Sequence, residues 1–322
     1  MANIMINETC NQKCPYCFAS EFVNVEKKNI SLDNFIKATN FILTEKEKRY
    51  AGRIGIIGGE PLLHPDFDTF IKYLTENEAV KMIVVFTNGV LIKKHLDSIL
   101  NDKVALLINV NSVDNVGLDN YKDTEESINL LVNKYRKKRV TLGLNIYDNI
   151  DYSFFIDMAE KYNQDLVRLS VVVPTYGKEK RGFDQFLKLK DTILKITKKL
   201  LVKDVSFKFD CNLPIHCMWD DAELDDLKKM GLSGGREKIP WKYSCCTPVI
   251  DILPDLKAVR CFGLSDKSKV DISDFSTIGD LRSYYIEKLD SILSRFPIRE
   301  KCNTCDLFPK MCFGGCLANR VE

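Results

Sequence analysis

The 322-residue sequence has little of what marks an exported, membrane or nucleic-acid-binding protein. No apolar run reaches the roughly 18 residues that a membrane-spanning helix needs, and the opening MANIMINETC lacks the basic and apolar regions of a signal peptide. Lys plus Arg total 47 against 45 for Asp plus Glu, so the net charge of +2 gives no electrostatic reason to expect nucleic acid or a membrane as a partner. We therefore expect a cytoplasmic protein with neither kind of partner.

Histidine is scarce, and cysteine is unevenly distributed. The chain has 3 histidines, which limits the imidazole ligands available to a metal. Of its 12 cysteines, none lies between residues 18 and 210; three lie within 10–17 and the rest within 211–316. In a reducing compartment, clustered cysteines more often bind metal or do redox chemistry than form disulfides. The sequence therefore predicts two cysteine-rich metal regions.

The first 200 residues alternate strand-like and helix-like segments. Amphipathic helices are predicted after Asp66, after Thr124 and after Asp151, and another over residues 183–203. This alternation implies right-handed crossovers and a parallel sheet, which an open doubly wound sheet and a partial barrel would both satisfy. The apolar runs that predict buried strands are residues 4–6, 54–57, 82–86, 104–110, 140–146 and 166–173.

The character of the chain changes near residue 205. We expect the strand–helix alternation to stop there, where most of the cysteines begin. Two domains are predicted: an α/β unit over residues 1–204, and a small loop-rich unit over residues 205–322 that metal holds together.

Three cysteines follow the first predicted strand at short spacing, in the segment Cys10-Asn-Gln-Lys-Cys14-Pro-Tyr16-Cys17. In parallel α/β architectures, ligands bind at the loops that follow the carboxyl ends of the strands. Three thiolates can hold a 4Fe-4S cluster by three irons and leave the fourth iron open, as a catalytic metal site requires. A zinc site completed by a distant cysteine or histidine is the alternative.

This spacing, with an aromatic residue just before the last cysteine, resembles the signature of the radical S-adenosylmethionine (SAM) enzymes. Two later segments strengthen the resemblance. Gly58-Gly59-Glu60-Pro61, after the second strand, resembles the family's GGE motif, and Thr87-Asn88-Gly89, after the third strand, resembles a common family segment. The resemblance spans roughly residues 1–200, and it implies a partial (β/α)6 barrel like part of a TIM barrel.

The resemblance also implies a chemistry. Cys10, Cys14 and Cys17 are then the catalytic residues, and they bind a 4Fe-4S cluster whose open iron is chelated by the amino and carboxylate groups of S-adenosylmethionine. An electron from the reduced cluster cleaves this molecule to a 5′-deoxyadenosyl radical, which abstracts hydrogen from the substrate. The implied partners are that substrate and an electron donor such as flavodoxin or ferredoxin.

Cofactor contacts follow from the same resemblance. Glu60, with the backbone at Gly58 and Gly59, is expected to hold the methionine ammonium, and Tyr16 to lie near the adenine. His64 is expected to shape the entry of the following helix rather than to transfer protons. A structural polar role is the alternative for the remaining expected cofactor contacts, which are Asn88, Asn111, Ser112, Asn145 and Arg168.

A denser cysteine pattern lies near the C-terminus, with four thiols between residues 302 and 316. Iron–sulfur and a structural zinc ribbon are the two interpretations of such a pattern. The spacing resembles the core of the SPASM domain (related to the twitch domain), which carries auxiliary 4Fe-4S clusters in many peptide-modifying radical enzymes. The cysteines expected to bind metal in this region are Cys245, Cys246, Cys261, Cys302, Cys305, Cys312 and Cys316.

The SPASM resemblance implies one or two auxiliary clusters. One is expected on Cys261 and Cys316 together with one member of the 245–246 pair, and the other on the remaining three cysteines of the tail. The family usually has a further cysteine after the position of Cys316, and this sequence shows none. Cys211 or Cys217 is therefore a candidate for the missing ligand, and a non-cysteine ligand such as an aspartate is the alternative.

The expected function is a radical reaction on a peptide or protein side chain, because the SPASM resemblance favours peptide maturation. Two alternatives stay open. One is dehydrogenation or epimerisation of a small metabolite by the same radical chemistry. The other is a non-catalytic iron–sulfur or zinc protein.

Overall fold

The computed structural model of the chain describes residues 1–17, 19–172, 187–210, 212, 214–229, 246–310 and 312–319. Strands β1 to β10 are Ala2–Met5, Arg53–Ile57, Met82–Thr87, Val104–Asn109, Val140–Ile146, Leu166–Val171, Ser206–Phe209, Asp251–Ile252, Lys257–Val259 and Lys269–Asp271. Helices α1 to α10 are Leu32–Leu43, Phe67–Glu76, Leu96–Ile99, Val113–Val116, Leu118–Asn129, Ser153–Lys161, Lys190–Val202, Asp221–Lys229, Ile278–Tyr285 and Ser291–Leu293.

All ten strands belong to one sheet, in the order β10-β9-β8-β1-β2-β3-β4-β5-β6-β7. Strands β1 to β7 run parallel, and each of them pairs with the next strand along the chain. This mostly parallel sheet confirms the predicted α/β fold. The carboxyl ends of these strands form one edge, here called the site edge, at Met5, Ile57, Thr87, Asn109, Ile146, Val171 and Phe209.

The sheet continues past residue 205. Strand β7 pairs in parallel with β6, so the expectation that strand–helix alternation stops there is wrong. Strand β8 then pairs in parallel with the other side of β1, and β9 and β10 follow in antiparallel order. The predicted domain boundary between residues 204 and 205 falls just before β7 and stays a prediction.

The helices cover the sheet with the apolar faces that their periodicity predicts. In α2, the spaced residues Phe67, Phe70, Ile71 and Leu74 are all buried, and Asp66 occupies the N-cap position without a side-chain bond. Helix α6 begins at Ser153, whose N–H donates to the side chain of Asp151 at 2.9 Å. Within the described residues, no helix has the length and apolar character that crossing a membrane requires.

Two predicted helices differ from the structure in extent. Helix α5 begins at Leu118, so Thr124 lies inside it and is not its cap. The Thr124 hydroxyl bonds the carbonyls of Asn120 (2.9 Å) and Asn88 (3.0 Å), which satisfies it within the helix. The helix predicted over 183–203 is seen as α7, and residues 183–186 lie outside the described residues.

Candidate functional site

The loop after β1 brings the three N-terminal cysteines to the site edge, each half-buried. The Gln12 N–H donates to Cys10 Sγ at 3.4 Å, the Asn111 amide donates to Cys14 Sγ at 3.7 Å, and the Cys17 N–H donates to the Cys14 carbonyl at 3.1 Å. Burial raises the pKa of Cys10 to about 12 and that of Cys14 to about 11. Both thiols therefore hold their protons at neutral pH until a cation replaces them.

These cysteines fit an iron–sulfur cluster. Among the described residues, no three or more His, Cys, Asp or Glu side chains are arranged to hold a single metal ion. A 4Fe-4S cluster does not need its thiolates to converge on one metal ion, because each thiolate binds its own iron. Cys10, Cys14 and Cys17 are free thiols on one loop, close enough for the other two to raise the pKa of Cys10. Amide donors also face two of the sulfurs, as cluster thiolates require.

The two glycines of the GGE segment are required by the cysteine loop. A Cβ at Gly58 would lie 2.1 Å from Asn7 Oδ1, and one at Gly59 would lie 2.4 Å from the Thr9 carbonyl oxygen. The close approach allows two backbone bonds, from the Gly59 N–H to the Asn7 carbonyl (3.0 Å) and from the Glu60 N–H to the Thr9 carbonyl (2.8 Å). Glycine here fixes the β2 loop against the cysteine loop.

Glu60 links the β2 loop to the end of β3. Its buried carboxylate accepts hydrogen bonds from the Thr87 hydroxyl (2.7 Å), the Asn88 N–H (2.8 Å) and the Leu62 N–H (3.2 Å). Burial outweighs these donors and raises the pKa of Glu60 to about 7. The Asn88 side chain in turn donates to the Asn11 side chain in the cysteine loop at 2.7 Å. The Thr87-Asn88 segment therefore hydrogen-bonds to both the Glu60 carboxylate and the cysteine loop.

Tyr16, in the cysteine loop, contacts residues that follow the ends of β4 and β5. Its hydroxyl donates to Asn111 Oδ1, and its ring centroid lies 5.1 Å from that of Tyr147. Burial raises the pKa of Tyr16, so the hydroxyl stays a donor. Ser112 precedes α4 without capping it through its side chain. The structure thus places Tyr16 and Asn111 beside Cys14, while the adenine contact stays a prediction.

Arg168 joins the ends of three further strands. Its guanidinium donates to the side chains of Asn145 (2.9 Å) and Asn109 (3.3 Å), and pairs with Asp210 at 2.5 Å. These bonds are what the structural alternative for Arg168 and Asn145 predicts, and their cofactor contact stays a prediction. The sequence analysis does not predict Asp210, because this residue follows β7, which is not among the predicted strands.

His64 behaves as expected for a residue that shapes a helix entry. Its Nδ1 accepts the Asp66 N–H at 3.0 Å, which leaves Nε2 to donate to the Ile30 carbonyl at 3.2 Å. Both ring nitrogens are therefore used in positioning the chain before α2.

Three C-terminal cysteines meet around a buried arginine. The thiol of Cys316 donates to Cys246 and holds the pKa of Cys246 below its ordinary value. Arg260, which is fully buried, lies with Nη1 3.8 Å from Cys261 Sγ and with Nη2 3.0 Å from the Cys246 carbonyl. Its charge is balanced by Asp290, whose Oδ2 lies 2.8 Å from Nη2. These three cysteines match the first expected auxiliary set, and Cys245 lies outside the described residues.

The other tail cysteines form a second group. The Cys305 N–H donates to the Cys302 carbonyl at 3.3 Å, and the Gly314 N–H donates to Cys312 Sγ at 3.2 Å. Cys302 and Cys305 both contribute to a raised pKa of Cys312, which burial mainly causes. The structure therefore brings together the second expected set. Cys211 lies outside the described residues.

Sequence comparisons identify relatives of the N-terminal part. Residues 4–161 match the family model described as the Radical SAM superfamily. A GTP 3′,8-cyclase of Staphylococcus aureus (strain JH9) is 27% identical over 200 residues, which cover 58% of this chain and 53% of the relative. A GTP 3′,8-cyclase of Staphylococcus saprophyticus is 29% identical over 199 residues with the same coverage. The chain thus spans about half the length of the curated relatives it matches.

Two solved structures share the fold. Streptococcus suis SuiB bound to S-adenosylmethionine aligns with a TM-score of 0.68 at 16% identity, covering 99% of this chain and 73% of that one. Native anSMEcpe with bound AdoMet and Kp18Cys peptide aligns with a TM-score of 0.65 at 17% identity, covering 98% and 89%. This likeness confirms the predicted fold. The family match, the three-cysteine loop and the fold together identify residues 4–161 as a domain of the radical SAM superfamily.

Proposed function

We propose that this protein is a radical SAM enzyme that removes hydrogen from a side chain of a peptide. Cys10, Cys14 and Cys17 would hold a 4Fe-4S cluster and Glu60 the ammonium of S-adenosylmethionine. When bound, these groups supply the one-electron chemistry that activates a substrate C–H bond. The observation that carries the proposal is the meeting of the cysteine loop with the buried Glu60 carboxylate at the site edge.

The donors to the Glu60 carboxylate leave one of its acceptor positions unused. An ionised carboxylate offers about four acceptor positions, and three are taken by Leu62, Thr87 and Asn88. The open position is on Oε2, which receives only the Asn88 N–H. Because burial keeps the pKa of this acid near 7, the protein's own donors do not hold it fully ionised at neutral pH. An ammonium at that position would complete its charge balance.

The cysteine loop and Tyr16 are held by the strand ends around them. The Asn111 amide group donates to Cys14 Sγ and its oxygen accepts the Tyr16 hydroxyl, so one side chain orients both. Tyr16 and Tyr147 present two packed rings next to the thiols, which limits the access of water to this side of the site.

A peptide substrate is supported by the C-terminal part of the fold. The likeness to SuiB extends over 99% of this chain, and one SuiB structure is bound to precursor peptide SuiA. The anSMEcpe structure also holds a peptide. A nucleotide substrate is the second candidate, because the sequence relatives are GTP 3′,8-cyclases, but that match covers only 58% of this chain.

SAM cleavage tests the enzyme proposal. The protein is reconstituted anaerobically with iron and sulfide, reduced with dithionite and given S-adenosylmethionine, and 5′-deoxyadenosine is quantified. We expect product from the wild type and none from a Cys14→Ala variant that keeps its helical circular dichroism. Equal product from both proteins, or iron-loaded wild type without product, would contradict the proposal and favour a non-catalytic iron–sulfur protein.

Deuterium transfer tests the substrate class. Deuterated peptides encoded by short reading frames beside this gene are compared with deuterated GTP as substrates. A peptide substrate predicts deuterium in 5′-deoxyadenosine from a peptide alone. Transfer from GTP and from no peptide would support the nucleotide candidate instead.

A further inference from the structure

The second cysteine group of the tail has three members on neighbouring turns, Cys302, Cys305 and Cys312. A 4Fe-4S cluster closed on all four irons takes four protein ligands. The next cysteine of the tail, Cys316, hydrogen-bonds to Cys246 and belongs to the first group. No cysteine of the described tail is left to be the fourth ligand of the second group.

Cys217 lies against the start of the second group. Arg299 donates from Nη1 to the Cys217 carbonyl at 3.3 Å, and the same nitrogen lies 3.8 Å from Cys217 Sγ. The carbonyl of Arg299 in turn accepts the Cys302 N–H at 3.0 Å. One residue thus contacts both cysteines and fixes the thiol of Cys217 near the turn that carries Cys302.

Two further contacts hold the segment around Cys217 on the tail. The Asn319 amide donates to Asn212 Oδ1 at 3.2 Å. Gly315 lies next to Ile215, because a Cβ built on Gly315 would be in van der Waals contact with Ile215 Cγ2 at 3.4 Å. Contacts therefore fix this segment from both ends of the tail, and the position of the thiol does not depend on Arg299 alone.

We propose that Cys217 is the fourth ligand of an iron–sulfur cluster held by Cys302, Cys305 and Cys312. A set of four thiolates suits either an iron–sulfur cluster or zinc. We assign iron–sulfur, because the radical SAM domain already requires this protein to be loaded with such clusters. The proposal rests on metal binding by the C-terminal cysteines and does not require a peptide substrate.

Double variants test the assignment through metal content. Iron, sulfide and zinc per chain are measured on reconstituted full-length protein, with Mössbauer spectra of the iron. Cys217→Ala should lose up to about four irons, or change the spectrum of the same cluster that Cys302→Ala removes. In the Cys302→Ala background the added Cys217→Ala change should remove no further iron. In the Cys246→Ala background, which lacks the other auxiliary cluster, the added Cys217→Ala change should lower the iron content by a further cluster.

The reverse results would overturn the assignment. These are unchanged iron and spectrum in Cys217→Ala, additive iron loss with Cys302→Ala, or zinc in place of iron in the second group. If Cys217→Ala does not fold, Cys217→Asp keeps an anionic ligand and should retain iron with a shifted spectrum. Cleavage of S-adenosylmethionine is assayed separately, so failure of the proposed function leaves this result interpretable.

Discussion

The raised pKa of Glu60 predicts that binding of S-adenosylmethionine weakens as pH falls below 7. If the ammonium binds the ionised acid, apparent affinity follows the ionised fraction. With a pKa of about 7, that fraction is about one half at pH 7 and about one tenth at pH 6. The dissociation constant should therefore rise about fivefold over this interval. Titration of the ligand's own α-amino group, with an ordinary pKa of roughly 7.7–8.0, would affect the wild type and a variant without Glu60 alike, so the difference between the two proteins isolates the contribution of Glu60.

Two variants separate this effect from other titrations. Glu60→Gln has no ionisable side chain at this position, so its binding should be weaker at pH 7 and should lack the fivefold change that titration of Glu60 adds in the wild type. Glu45→Gln is the matched control, because Glu45 is also poorly exposed (6%) and pairs with Arg282 at 2.5 Å. It lies beside the Met1 amino group at the start of β1, away from the site edge, so it should keep the wild-type slope.

The assay is anaerobic calorimetric titration of the reconstituted protein with S-adenosylmethionine, without reductant. A fivefold change that persists in Glu60→Gln would refute the assignment of the ammonium to this carboxylate. So would a wild-type affinity that does not change between pH 6 and pH 7.

Three further substitutions have defined outcomes. Thr87→Val removes a donor that lowers the pKa of Glu60, so the pH midpoint of binding in the same titration should move upward, with a stability loss of about 2 kcal/mol. Gly59→Ala places a Cβ 2.4 Å from a backbone carbonyl of the cysteine loop and should lower iron loading of the first cluster, measured as iron per chain; full loading would contradict the packing described. Arg260→Met strands the buried Asp290 and should cost about 3–5 kcal/mol in chemical denaturation, most of it recovered when Asp290→Leu is added. Equal loss in the single and double variants would contradict that pairing.

The parallel strands and the first site could be predicted from the sequence because their signals are local. Apolar runs marked the strand at 140–146 to the residue, since a strand buried on both faces needs them. The short spacing of the cysteines put them on one loop. The hydrogen bond between Glu60 and Thr87 can be predicted from the pairing of β2 with β3, because both residues follow or end these neighbouring strands.

Contacts between distant segments could not be predicted in this way. Nothing near Arg168 indicates that Asp210, 42 residues later, will pair with it. The sequence does not indicate that Gly58 and Gly59 pack against the loop after β1, and their expected contact with the ligand stays a prediction. Cys217 likewise has no local signal, because its neighbours in space come from the tail.

The pairing of β8 with β1 has a consequence for dividing this protein. Asn3 and Ile4 pair with Asp251 and Ile252, and the Asn3 side chain donates to Asp251 at 2.6 Å. The outer side of the first strand is thus completed by residues nearly 250 positions later. A chain shortened to residues 1–204 would leave β1 as an exposed edge strand. The unpaired backbone groups of such a strand can pair with other chains and cause aggregation. The cysteine-rich portion therefore completes the sheet, and residues 1–204 on their own would lack the strand that covers β1.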